Sequence, residues 1–403
     1  MRSNNDRPIS RGRLSLIGLA LAAASCGGTG DLTVSQSQVG TTVAPATTSA
    51  TSWSTTSTAN STTTASTTTT TASTTTTTEP PRSPIVVAVA GDTSFTNGLD
   101  QRDPLGQVAE LLSAPDLMIV NLETSVADPD VGRVAVDKPF LFKSPPASLQ
   151  LLVDAGVDVV GLANNHTLDF GPDALEQTLR EVDAAGLARV GAGVDEADAY
   201  RTLVVDVEGW KVGVVSLSRV PCDWSASGEN VRPQVAWACP AFLDQADAMV
   251  SDTVAAADVT VVMVHGGEEG VLCPSSFMVE LSERWAAAGV DAIVNGHPHV
   301  VQGLTIIGDT LVARSSGNFA FPSARGITAN SAIFSFTVTE AADGAPELAL
   351  RVEPVRVDHG VARPPSESER AGIIEQIAGH SSGVQIAADG SVVADPEQRG
   401  RCD

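Results

Sequence analysis

Residues 157–185, VDVVGLANNHTLDFGPDALEQTLREVDAA, carry the plan of the whole fold. Val157 to Ala163 is a short apolar run of the kind that makes a strand buried on both faces. It runs straight into Asn164-Asn165-His166, with Asp169 just beyond, and Gly171-Pro172 then opens a helix that continues through Ala185 and stops at Gly186. A buried strand that ends in polar residues and hands over to a helix is half of a strand–helix–strand unit.

The same unit recurs outward in both directions. Upstream, Ile85 to Ala90 is stopped by Gly91-Asp92, Asp116 to Asn121 repeats the pattern, and Pro145 to Ala155 has helical spacing closed by Gly156. Downstream, Thr202 to Val207 and Lys211 to Leu217 flank Glu208-Gly209 as a hairpin. A helix from Pro240 to Ala256 leads to a strand over Val259 to Val264 and to His265. Another, Ser276 to Ala288, leads to Val290 to Val294 and Asn295-Gly296-His297. After two short runs around Gly308-Asp309 the pattern turns all β, over Ser331 to Thr339 and Leu348 to Val357. Helices outside and two sheets inside are the expectation. A domain over 84–340 and a C-terminal strand and polar tail over 341–403, with one helix from Glu367 to Ala378, complete the folded part.

The first 83 residues read differently. Arg2, Arg7, Arg11 and Arg13 precede an apolar run from Leu14 to Ala24, an export signal over 1–25 too short to span a bilayer that needs about 20 apolar residues. Small residues ahead of Cys26 match a bacterial lipobox, which predicts a lipidated Cys26 on the outer face of the cell membrane; the alternative is a secreted chain with an incidental cysteine. Residues 61–78 hold 16 Ser or Thr in 18 positions, so 26–83 is expected to be a disordered tether. Four cysteines remain, Cys222, Cys239, Cys273 and Cys402, and three pairings are open in an oxidising compartment. Cys222 and Cys239 flank a Trp- and Pro-containing excursion and make the favoured staple, with free thiols as the other reading.

Composition narrows the function. With 24 Lys and Arg against 48 Asp and Glu the formal charge is −24, which excludes sequence-independent binding to nucleic acid. Four of the six histidines, His166, His265, His297 and His299, fall at predicted strand ends, where open α/β sheets place their sites. Beside them stand Asp92, Glu123, Asn165 and Asp169. Carboxylates, an amide and imidazoles form the mixed donor set of Mn, Zn or Fe, in one-ion or two-ion sites. Taken singly, each residue could equally cap a turn or satisfy a loop; together at successive strand ends they point to one centre.

Here the motifs carry a family likeness. Gly91-Asp92, Asn121-Leu122-Glu123, Ala163-Asn164-Asn165-His166 with Asp169, His265-Gly266-Gly267-Glu268-Glu269, Gly296-His297-Pro298-His299 and Ser316-Gly317-Asn318-Phe319 resemble, in order, the CapA-type capsule synthesis family. That family is associated with poly-γ-glutamate capsules and is related to the calcineurin-like metallophosphoesterases. The resemblance spans about 85–322 and implies a metallophosphoesterase-like α/β fold, a four-layer sandwich of two mixed sheets flanked by helices. It also implies roles: Asp92 and His299 as ligands of a first ion, Glu123 as a bridge, Asn165, His265 and His297 on a second, and His166, with Asp169, as the catalytic acid. The superfamily's Asp-x-His reads Asp92-Thr93-Ser94 here, so the first ion lacks an imidazole and the number of ions is one or two.

Two divalent ions against Asp92 and Glu123 would leave about +2 to attract an anion. Lys138, Lys143, Arg314, Asn318 and Glu268 are further candidates for substrate contact. The expected function is therefore synthesis or processing of an anionic cell-surface polymer of the poly-γ-glutamate type, by metal-dependent hydrolysis or transfer, in company with a polymer synthase or exporter. Two alternatives stand beside it: a non-catalytic polymer-handling or assembly subunit, and a generic phosphodiesterase.

Overall fold

In the computed structural model, which describes residues 81–135, 138–222 and 234–403, the apolar runs become the central strands of two mixed sheets. The first sheet is built on β1 (Ile85–Thr93), β2 (Leu117–Leu122), β3 (Val159–Gly161) and β4 (Ala188–Val190), all parallel. Helices α1 (Leu149–Ala155) and α2 (Gly171–Ala184) lead into β3 and β4. The second sheet begins with the antiparallel hairpin β5 (Leu203–Val207) and β6 (Trp210–Ser218). Then α3 (Leu243–Ala256), β7 (Val259–His265), α4 (Ser276–Ala286) and β8 (Ala292–Gly296) follow, with β6, β7 and β8 parallel. A hairpin of β9 (Leu304–Ile307) and β10 (Thr310–Ala313) completes that sheet beside β8.

The chain then returns to the first sheet. Strand β11 (Asn318–Ala320) pairs with the end of β1, and β12 (Asn330–Glu340), β13 (Pro346–Asp358) and β14 (Val361–Arg363) extend the sheet on the other side of β1. The orders are β14-β13-β12-β1-β2-β3-β4 and β9-β10-β8-β7-β6-β5.

Strand periodicity builds the layers. Ile85, Val87 and Val89 of β1 pack in one cluster with Val212, Val214, Val261 and Ile293 of the second sheet. Ala88 and Ala90, on the opposite face, pack with Leu152, Leu175 and Leu179 of α1 and α2. Each fully buried Val or Ile contributes about 1.5–3 kcal/mol, so a one-residue slip of β1 would forfeit both faces at once. The expected four-layer arrangement of two mixed sheets with flanking helices is present.

Two boundaries differ from the sequence reading. Strand β1 continues past Gly91-Asp92, because β11 supplies a partner: Asp92 N–H donates to the Gly317 carbonyl at 2.9 Å, and a Cβ on Gly91 would lie 2.0 Å from that oxygen. The division at 340/341 falls in a hairpin, since β12 and β13 pair along their whole length. Within the tail, which the sequence reading already counted in the folded part, α5 (Glu367–Gly379) buries Ile373, Ile374 and Ile377, and Cys402 is disulfide-bonded to Cys273.

At the other end the fold starts before residue 84. The Arg82 guanidinium stacks 3.5 Å over Trp210 and pairs with Glu340 and Asp258, and Trp210 Nε1–H donates to the Ser83 carbonyl. Of the three cysteine pairings the structure has Cys222–Cys239 and Cys273–Cys402. The expected signal segment, Cys26 and the Ser/Thr tract lie outside the described residues.

Candidate metal centre

The C-terminal ends of β1, β2, β7 and β8 and the loop after β3 converge on one buried cluster. Parallel strands end on the same side, so Asp92, Glu123, His265 and His297 meet although up to 205 residues separate them in the chain. Glu123, His265 and His297 place donor atoms within 4.8 Å of one another, as do Asp92, Glu123 and His299. Glu123 belongs to both groups. Its Oε1 lies 3.3 Å from His265 Nε2, 3.8 Å from His166 Nε2 and 4.0 Å from His299 Nε2.

The surroundings hold these donors in place. Asn121 Nδ2–H donates to Asp92 Oδ1 at 2.8 Å, and the His297 backbone N–H donates to Asp92 Oδ2 at 3.0 Å. Asn165 Oδ1 lies 2.7 Å from His265 Nε2. Asn164 Nδ2–H in turn donates to Asn121 Oδ1. Gly296 is required by space: a Cβ there would stand 2.5 Å from Asp92 Oδ1. His297 and His299 both adopt positive φ, 91° and 54°, a strain of the kind proteins retain where it positions functional groups.

His166 is oriented from three sides. Its Nδ1 lies 2.7 Å from Asp169 Oδ2, its ring stacks on Phe142 with centroids 3.9 Å apart, and Lys138 Nζ lies 2.9 Å from Nδ1. Nε2 is thereby left for the centre. Lys138 also pairs with Asp169 Oδ1 and donates to the Asn165 carbonyl. Burial pushes the Lys138 ammonium below its usual range, more than Asp169 draws it upward.

Electrostatics mark the site as a place for a cation. Burial would raise the Asp92 carboxyl, but the bond to His299 and the neighbouring imidazoles outweigh it and hold Asp92 below the ordinary range. Burial, helped by His265 and His299, drives His297 well below the usual histidine value. His299 goes the other way: burial opposes its charge, yet Glu123 and Asp92 push it up to about 9. A metal ion here would have to displace that proton.

The fit can be judged from unpartnered atoms. Both oxygens of Glu123 and Nδ1 of His297 are buried without a hydrogen-bond partner among the described residues. A buried carboxylate in that condition is costly unless a cation satisfies it. Oxygen and imidazole donors of this kind suit a divalent transition ion.

Four expected substrate contacts are placed otherwise. Asn318 is buried and holds His299, with Oδ1 2.9 Å from its Nδ1, so it positions that imidazole. Lys143 Nζ–H donates to the Val131 carbonyl and lies over the Phe170 ring, tying a loop. Arg314 lines a separate recess with Pro274, Met278 and Ser282, where burial lowers its pKa against the opposing pull of Asp403. Glu268 is exposed, and it is Glu269 that approaches His297 and His299. Lys138, by contrast, is in the site. Sequence reasoning gave no role to Asn121, Asn164 or Phe142; the two asparagines stood inside quoted motifs, whereas nothing marked Phe142.

Residues 42–323 match the family described as bacterial capsule synthesis protein PGA_cap. The chain belongs to that family. Among members and relatives, the Bacillus subtilis (strain 168) "PGA biosynthesis protein CapA" is 26% identical over 291 residues, 72% of this chain and 74% of that protein. A "probable polyglutamine synthesis accessory protein" of Mycobacterium tuberculosis is 34% identical over 212 residues, and this PGA_cap chain spans about half of its length, 54%. A solved phosphatase from Mycoplasma pneumoniae aligns at a TM-score of 0.42 with 14% identity, over 70% of this chain and 96% of its own.

Proposed function

We propose that this PGA_cap protein acts on an anionic cell-surface polymer of the poly-γ-glutamate type, as a metal-dependent hydrolase or transferase outside the cytoplasm. The observation that carries the reading is the buried Glu123 carboxylate, unpartnered and ringed by His265, His166 and His299. Asp92, Glu123, His265, His297 and His299, with Asn165 beside His265, would hold one or two divalent ions. Such an ion supplies Lewis acidity and makes water a stronger acid.

The chain's own groups do the rest. Asp169 and Phe142 fix the His166 ring so that Nε2 faces the centre, where it can hold or deliver a proton to a leaving group. Lys138, paired with Asp169 at the same edge, adds positive charge for an anionic substrate. The overall charge of −24 repels polyanions elsewhere, so binding would concentrate at this centre.

The relatives' printed names support the polymer assignment, and the Cys26 motif supports anchoring by lipid to the outer face of the membrane. Among the described residues no helix is long and apolar enough to cross a membrane. Metal analysis of purified protein, with a screen against poly-γ-glutamate and model phosphodiesters, tests the activity. Stoichiometric metal and turnover lost in His166→Ala support it; absence of both metal and turnover refutes it. Metal without turnover, with polymer binding retained in His166→Ala, would favour the polymer-handling role instead. The mass of the mature N-terminus tests the anchor, and a free, unacylated Cys26 would rule it out.

A further inference from the structure

The group Glu269, His297 and His299 places a carboxylate oxygen and two ring nitrogens within 4.8 Å of one another. Glu269 is exposed, and exposed acids usually bind nothing. Three observations set this one apart.

Its loop is fastened to the histidine turn. Gly270 N–H donates to the Pro298 carbonyl at 2.8 Å, Gly266 N–H donates to the Gly296 carbonyl at 3.0 Å, and Gln302 Nε2–H donates to the Val271 carbonyl at 2.7 Å. Gly267, at φ 120°, would bring a Cβ to 3.1 Å from the Pro298 ring, so the loop lies directly on that turn. Glu269 is thus held over His297-Pro298-His299 from both sides.

The cluster beneath it is short of partners. Nδ1 of His297 is buried and unsatisfied, as are both Glu123 oxygens. Position 94, where the related superfamily carries an imidazole, gives the cluster no such donor. Ser94 is fully buried, its hydroxyl turns to Thr96 Oγ1 at 3.4 Å and its N–H to the Ala320 carbonyl at 2.7 Å.

We propose that Glu269 is a metal ligand, its carboxylate joining His299 on the Asp92 side of the centre and standing in for the imidazole that Ser94 replaces. This rests on the metal-dependent reading above and adds a ligand to it. A third carboxylate changes the charge: two divalent ions against Asp92, Glu123 and Glu269 leave about +1 instead of about +2. It also differs in placement, since the ligand is carried on an exposed loop instead of at a strand end.

The test is ion binding by the purified full chain, followed by titration calorimetry with Mn and Zn and by elemental analysis, with no activity needed. Glu269→Gln should lose one ion or weaken one site by at least about tenfold, Glu269→Asp should keep most of the affinity, and Glu268→Gln should match wild type. Because the Glu269 side chain is exposed, circular dichroism and melting in chelator should be the same for Glu269→Gln and wild type. Unchanged stoichiometry and affinity in Glu269→Gln, or equal losses in both glutamine variants, overturns the ligand assignment alone. A wild-type protein that binds no ion overturns the metal-dependent reading together with it.

Discussion

Glu123→Gln should nearly abolish the stabilisation that a metal ion confers. Oε1 of Glu123 lies 3.3 Å, 3.8 Å and 4.0 Å from three imidazole nitrogens, and neither carboxylate oxygen accepts a hydrogen bond. Leaving a buried polar group unsatisfied costs about 1–3 kcal/mol, and more when it is charged. The amide keeps the shape but binds a cation far more weakly than a carboxylate, and in chelator it also gives up the attraction by which Glu123 helps push His299 up to about 9. With an ion at about 100 times its Kd the wild type gains about 2.7 kcal/mol; a variant with hundredfold weaker affinity gains only about 0.4 kcal/mol at the same concentration. For a folded unit of this size, at about 2 °C per kcal/mol, the ion-induced rise in Tm falls from about 5 °C to under about 1 °C. Differential scanning calorimetry in chelator and in excess Mn or Zn reads both quantities. Equal ion-induced shifts in the two proteins would refute the claim that Glu123 holds the ion.

Three further outcomes follow from the same structure. Replacing Cys273 and Cys402 by alanine removes a cross-link with a sequence separation of 129, which the chain-entropy model values at about 5 kcal/mol; denaturant unfolding should show a loss of that order, and a loss under about 1 kcal/mol would mean the tail is held by packing alone. Gly296→Ala puts a Cβ 2.5 Å from Asp92 Oδ1, so it should lower metal content while circular dichroism stays native; full metal occupancy would contradict the close approach. Burial raises the Asp291 carboxyl above its ordinary value despite the bond from Thr260 N–H. The carboxylate therefore costs stability above its folded pKa, and that cost disappears as pH falls below the unfolded value. Asp291→Asn, which can still accept the Thr260 bond, should stabilise at neutral pH with a gain that fades through the acid range; a pH-independent difference would count against it.

Much of the centre was legible in the chain because parallel strands impose a rule. Each apolar run ends on the same side of its sheet, so polar residues placed just after such runs must converge. Asp92, Glu123, His265 and His297 were readable on that basis, and His166 with Asp169 by the strand-to-helix turn that follows β3. The failures share a cause as well. Lys143, Arg314 and Asn318 lie near motifs in sequence, but which way a loop side chain turns depends on the segment packed against it. Phe142 stacks on His166 from a segment that carried no motif, and Glu269 approaches His297 and His299 where the sequence reading named Glu268.

The sequence alone determined the layered α/β class, the order of the main strands and helices, the family and the donor types of the centre, because these rest on local periodicity and on residue chemistry; it missed the short strands β4, β11 and β14. It did not determine the cysteine pairing, the reach of β1 past Gly91, or the pairing partners of β13. Those were decided by partners distant in the chain. Cys402 meets Cys273 across 129 positions, Gly317 continues the ladder of β1, and β13, legible as a strand, takes β12 and β14 as its partners. Pairing between distant segments has no local signature, since its stability comes from hydrogen bonds and burial that exist only once the layers are stacked.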